Sequence, residues 1–152
     1  MADELPTMTV KAIGIVRNGV KQAPARRDWW EELVSEIVID SSLTEALDGL
    51  EGFSHIIVLY WMHLAASGKV PLKVHPMGRK GVPLQGVFAV RTPNRPNQIG
   101  KATVRLLQRR GNILRVEGLD ALDGSPVIDI KPYLPGYDSA ADARVPQWIT
   151  NQ

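Results

Sequence analysis

Apolar and polar positions alternate in short stretches along most of this chain, and glycine and proline separate the stretches. Residues 9–17 have the two-residue period of a half-buried strand, with Val10, Ala12 and Gly14 on one side and Lys11, Ile13 and Ile15 on the other. Asn18-Gly19 is a tight-turn dipeptide. The polar, basic residues 22–28, with Pro24 among them, read as a loop leading to Trp29 and Trp30. Ile37-Val38-Ile39 closes a second strand, and Leu43, Leu47 and Leu50 stand at helical spacing, which predicts one or two helical turns. Residues 56–63 are β-branched and aromatic, the composition of a central buried strand. Residues 65–86 hold three prolines and four glycines and predict a long loop with a short strand at 70–74. Further strands are expected at 87–91 and 127–130, with a hairpin between 103–108 and 113–119 that turns at Arg110-Gly111-Asn112. Short strands, Gly/Pro turns and almost no helix predict an all-β fold, a barrel or a sandwich.

The chain has 152 residues, enough for one domain with a sizeable core, and 44% of them are hydrophobic, as in a globular protein. With no Cys there is no disulfide, no thiolate nucleophile and no Cys-ligated zinc. The acidic start Met1-Ala2-Asp3-Glu4 does not read as a signal peptide, and the apolar run 56–62 is too short to span a bilayer. These features predict a soluble, cytoplasmic protein with no membrane partner.

Charge changes the picture. Residues 52–116 contain no Asp or Glu but 11 of the 18 Lys and Arg and all three His. An even spread of the acids would place about seven in that window. A segment of +11 in a chain of net +2 suits a polyanionic partner. At its centre, residues 91–100 pack Arg91, Arg95, Asn97 and Gln98 around Pro93 and Pro96. The prolines stiffen the segment, so its guanidinium and amide groups are aimed before a ligand arrives.

No dinucleotide glycine loop, Walker A motif, zincin helix or hydrolase elbow is present. His55 and His63 would share a face of a regular strand, but two imidazoles alone argue weakly for a metal, and none is expected. Asp120, Asp123 and Asp129 suit a cationic ligand or a base better than a phosphate, and Asp129 and Lys131 are placed to pair on one strand face. Asp123-Gly124 also has the composition of a plain turn.

Three stretches together resemble a known family. They are Gly52-Phe53-Ser54-His55-Ile56 with Tyr60-Trp61-Met62-His63; residues 86–93 with Arg95-Pro96-Asn97 and Ile99-Gly100; and Asp123-Gly124-Ser125-Pro126-Val127 with Asp129-Ile130-Lys131-Pro132-Tyr133. In that order they resemble the TsaA-like family, also called TrmO or YaeB-like, over residues 13–137. The resemblance implies a single all-β barrel domain with long loops and little helix, here residues 9–137 between tails at 1–8 and 138–152. It implies a homodimer and S-adenosyl-L-methionine-dependent methylation of tRNA at N6 of threonylcarbamoyladenosine beside the anticodon. Carried onto this chain, the implied cofactor contacts are Pro24, Arg26, His63, Leu64, Arg91 and Asp120, Ala121, Leu122 and Asp123. The family more often has an aromatic residue or His where Asn94 stands, Pro where Gln98 stands and Gln where Arg26 stands.

The residues themselves nominate Arg95, Asn97, Arg79, Lys80 and Lys131 for RNA contact, and Tyr133 or Trp61 for stacking on a base. A ureido nitrogen is a weak nucleophile, so a general base would help, and Asp129, His63 and Tyr133 are the options. Two other functions fit the same residues: a non-catalytic RNA-binding barrel, and a methyltransferase with a different small substrate.

Overall fold

The computed structural model describes residues 4–65 and 68–150; residues 1–3 and 151–152 of the expected tails, and 66–67 of the long loop, lie outside the described residues. Six antiparallel strands, β1 (Gly14–Arg17), β2 (Val34–Ile39), β3 (His55–Trp61), β6 (Ile99–Arg110), β7 (Ile113–Glu117) and β8 (Pro126–Pro132), form a barrel. It closes in the order β1-β2-β7-β6-β3-β8. Two short strands, β4 (Lys73–Val74) and β5 (Gln85–Gly86), pair separately within the long loop. Two four-residue helices follow the barrel, α1 (Pro135–Asp138) and α2 (Gln147–Thr150).

Period-two alternation fills the interior. Val16, Ile37, Ile39, Ile56, Val58, Val104, Leu114, Val116 and Val127 all point inward and are nearly inaccessible to water. Each such side chain contributes roughly 1.5–3 kcal/mol of transfer free energy. Leu47, from the 3-10 turn Ser41–Leu47, joins this core near the β6–β7 hairpin, whose turn residue Gly111 has φ +61°. Leu119 and Ala121 join it at the opposite end, beside Tyr60. Asp40 caps the 3-10 turn by accepting from the Ser42 N–H at 3.0 Å.

Three expectations need correction. Residues 87–91 are not a strand: Val87–Ala89 form a 3-10 turn that buries Val87 and leaves Phe88 80% exposed. The first strand begins at Gly14, so Val10 and Ala12 lie on the surface and the buried side is Gly14 and Val16. The expected strand at 70–74 shrinks to Lys73–Val74. The remaining strands stand close to where the pattern places them, and β6 starts earlier, at Ile99.

Register sets which residues meet at each end. Tyr60 is opposite Gly100 and Trp61 opposite Ile99, whereas His55 is opposite Arg105. On the other side of β3, Leu59 faces Asp129 and Tyr60 faces Val127, so Ile128 is an extra residue that bulges β8. The C-terminal end of β3, the start of β6, the loop after β1 and the β7–β8 connection therefore gather at one end of the barrel.

Candidate functional site

Two adjoining recesses open at that end. The first, about 220 Å³, is walled by Ala23 and Trp29 from the loop after β1, Tyr60, Met62, His63, Leu64 and Ala65 from the end of β3, Pro93, and Asp120, Ala121, Leu122 and Ser125. The second, about 520 Å³, is walled by Trp30, Arg91, Arg95, Gly118 and residues 99–103, including Lys101. Tyr60, Met62 and Asp120 belong to both. The first is mostly apolar; the second carries three cations and one carboxylate.

Tyr60 is the hinge between them. Its ring is buried against Gly100, and its hydroxyl donates to Asp120 Oδ1 at 2.8 Å. Burial first, and then the Asp120 carboxylate beside it, push the phenol further above its ordinary value. The hydroxyl therefore stays protonated and remains a donor that fixes an exposed carboxylate at the boundary of the two recesses.

The Asp120–Ser125 wall is positioned by Asn18. Its side-chain N–H groups donate to the Ala121 carbonyl at 2.9 Å and to the buried Ser35 Oγ at 3.0 Å. In return, Asp123 Oδ1 accepts the backbone N–H groups of Asn18 and Gly19, at 2.9 and 3.1 Å. Asp123 Oδ2 is 3.1 Å from Lys21 Nζ. These bonds, the backbone ones first, hold the Asp123 carboxyl down at about 2. Asp123 is thus a brace for the loop and lines neither recess, unlike Asp120, Ala121 and Leu122.

His63 follows the last ladder bond of β3, where its N–H donates to the Trp61 carbonyl at 2.9 Å and the chain turns across the barrel end. Its Nδ1 lies 3.4 Å from Ser125 Oγ, a long contact, and the only Ser125 hydroxyl proton goes to the Leu122 carbonyl at 2.7 Å. With that proton committed, Nδ1 can pair with the Ser125 hydroxyl oxygen only as a donor.

The other nominated residues divide clearly. Leu64 lines the first recess and Arg91 the second, where Arg91 donates to the Lys101 carbonyl at 3.1 Å. Arg26 is turned to the surface in an ion pair with Asp28, which raises the guanidinium and lowers the carboxyl, and neither Arg26 nor Pro24 lines a recess. From the same loop, Ala23 and Trp29 line the first recess. Arg95 is partly spent as a loop staple, donating to the carbonyls of Val90 and Thr92 at 2.8 and 3.2 Å. Asn97, Arg79 and Lys80 are exposed. Lys131 pairs with Asp129 at 2.9 Å, as their spacing predicts.

The three base options do not converge within one chain. Tyr133 contacts the His55 ring edge-on at 6.2 Å, and its N–H donates to the His55 carbonyl, at the far end of β3 from His63. Asp129 sits halfway along the strand, opposite Leu59. Only His63 reaches the recess. The two histidines part in the same way, and the described residues contain no cluster of three or more metal-ligating groups. No described helix is long and apolar enough to cross a membrane.

A family model described as the tRNA-methyltransferase O N-terminal domain matches residues 17–139, a span that includes every residue of both recesses. The chain belongs to this family. A probable S-adenosyl-L-methionine-binding protein of Methanothermobacter thermautotrophicus is 50% identical over 133 residues, 86% of this chain and 93% of that protein. A tRNA (adenine(37)-N6)-methyltransferase of Mus musculus is 40% identical over 100 residues, 66% of this chain and 23% of that protein. A crystal structure of TrmO from Pseudomonas aeruginosa aligns with a TM-score of 0.76 at 35% identity, over 95% of this chain and 63% of that one. The chain is an all-β barrel like that solved structure, as the pattern and the resemblance imply.

Tyr60, Met62, Trp29, Trp30, Lys101 and Ser125 also line the recesses, and none of them is among the nominated residues. Tyr60 and Met62 carried a signal, because they continue the inward period of Ile56 and Val58 to the strand end. Ser125 and Lys101 carried none: their places follow from how the Asp123-Gly124 turn and the β3–β6 register fall in space.

Proposed function

We propose that this protein is an S-adenosyl-L-methionine-dependent tRNA methyltransferase that methylates N6 of threonylcarbamoyladenosine beside the anticodon. One observation carries the reading: the Asp120 carboxylate, held by the Tyr60 hydroxyl, stands where an apolar recess meets a basic cleft. The names of the relatives, one for binding S-adenosyl-L-methionine and one for methylating adenine 37 of tRNA, support it.

The residues fit that cofactor. Trp29, Ala121 and Leu122 offer apolar and aromatic surface to a nucleoside, and Asp120 offers a negative group to its positive end. When bound, the cofactor supplies a methyl group on a cationic sulfur. The protein aligns the two reactants and keeps water away. Arg91, Arg95 and Lys101 give the RNA an anion-binding cleft, with Arg79 and Lys80 exposed further along the chain. His63, the one base option that lines the recess, takes the N6 proton through Nε2.

The protein works as a homodimer in this reading. Leu64, Leu72, Leu84 and Phe88 are all half or more exposed within one stretch of loop, an apolar set that suits an interface. Phe88→Asp should convert the dimer to a monomer in light scattering, and a wild type that is itself monomeric ends this part of the reading.

Calorimetric titration with S-adenosyl-L-methionine tests the cofactor site. Wild type should bind, and Asp120→Ala and Leu122→Trp should each bind at least tenfold more weakly, about 1.4 kcal/mol. If wild type binds tRNA but not the cofactor at millimolar concentration, the non-catalytic RNA-binding barrel is the better description.

A further inference from the structure

A third recess of about 630 Å³ lies behind the same loop, walled by residues 74–78 and 89–93 and by Trp148 and Ile149. Both of the last two are half-buried and come from α2, beyond residue 139 where the family match ends. Arg91 lines this recess as well as the basic cleft, and Pro93 lines it as well as the apolar recess. The stiff Arg91–Pro93 segment is thus a partition touched by all three.

The wall opposite is held in an unusual conformation. Among the described residues, Met77 alone of the non-glycines has a positive φ, +54°. Such a backbone costs of order 1 kcal/mol or more and persists only where its surroundings fix it. Arg27 helps, with Nη2 at 3.4 Å from Met77 Sδ. The wall carries no carboxylate. His75 lies on it, and the exposed Arg79 and Lys80 follow directly in the chain. The recess is therefore an apolar and aromatic slot with the Arg91 guanidinium on its wall, continuous with the basic cleft through that residue.

That combination matches single-stranded RNA, whose splayed bases stack on aromatic faces while cations follow the phosphates. We infer that Trp148 is a stacking platform for a nucleobase that flanks the target adenosine in the anticodon loop, with Arg91 holding the phosphate between the two. This rests on the tRNA reading above and assigns the C-terminal helix a part in substrate selection. Arg91 is suited to span two sites because the bond to the Lys101 carbonyl uses only one of its terminal nitrogens.

The test is fluorescence anisotropy of a labelled anticodon stem-loop RNA with wild type, Trp148→Phe and Trp148→Ala, without cofactor. Loss of one base stack should weaken binding roughly tenfold in Trp148→Ala, and the aromatic replacement should recover most of it. Calorimetry with S-adenosyl-L-methionine should give the same affinity for all three, which shows that the variants are folded. Equal RNA affinity in wild type and Trp148→Ala overturns the platform, as does an equal loss in the Phe and Ala variants. So does a loss that tracks a change in sedimentation, because Trp148 would then serve self-association. If none of the three binds cofactor yet RNA affinity follows Trp148, the methyltransferase reading fails and the platform stands.

Discussion

Tyr60 and Gly100 face each other across β3 and β6, and a Cβ added to Gly100 would lie 2.5 Å from Cζ of the Tyr60 ring. Gly100 is there because the ring needs its space. The ring is buried and cannot swing into solvent. Gly100→Ala should therefore displace Tyr60, part its hydroxyl from Asp120 and cost roughly 1–3 kcal/mol of stability. Urea unfolding with cofactor titration would check this; a variant as stable and as tightly binding as wild type would show that the ring does not position Asp120.

Tyr60→Phe separates the two roles of the tyrosine. The ring still fills its place over Gly100, so stability should fall by only about 1 kcal/mol. Asp120 loses the donor that holds it. Cofactor affinity and transfer rate should then fall more than stability does. Equal affinity in Tyr60→Phe and wild type would mean that Asp120 needs no holding.

The Asp123 brace predicts a pH dependence. Its carboxyl is lowered from 3.8 to about 2 in the folded chain by the Asn18 and Gly19 N–H groups and by Lys21. A depressed carboxylate stabilises the fold above its unfolded value, and that contribution is lost as pH falls from about 4 through about 2. Asp123→Asn should be less stable than wild type at neutral pH, and the gap should close as pH approaches 2. Thermal melting from pH 7 to pH 2 checks it; a constant gap would mean that the brace does not depend on charge.

Arg109 predicts a change that touches stability alone. Its side chain is 13% exposed and reaches Asp48 and Glu51 at 3.1 and 3.2 Å. It also donates to the carbonyls of Thr44 and Gly111, tying the 3-10 turn to the β6–β7 hairpin at the end of the barrel away from the site. Arg109→Leu should cost roughly 1.5–3 kcal/mol and leave cofactor affinity unchanged. Denaturant midpoints and calorimetry on the same samples would decide it.

The barrel was legible because alternation is local: Val16, Ile37 and Val104 show which face of each strand is buried without knowledge of its partners. Residues 87–91 misled because Val87 and Val90 imitate a strand, while the backbone closes a turn from the Val90 N–H to the Val87 carbonyl. Within the site, Asp120 and Asp123 look alike along the chain. The turn at Gly124, with φ +84°, sends one to the recess and the other back to Asn18. The distance between Tyr133 and His63 was hidden for the same reason, since neighbouring motifs occupy opposite ends of paired strands.

The most direct measurement is single-turnover transfer of a labelled methyl group from S-adenosyl-L-methionine to tRNA carrying threonylcarbamoyladenosine, with wild type, Asp120→Ala and His63→Gln. Wild type should transfer the methyl group to N6 of that nucleoside and not to tRNA lacking the modification, at a rate at least tenfold higher than either variant. Transfer by wild type that is undiminished in both variants would contradict the site described here, and no transfer by a wild type that binds both cofactor and tRNA would contradict the reaction.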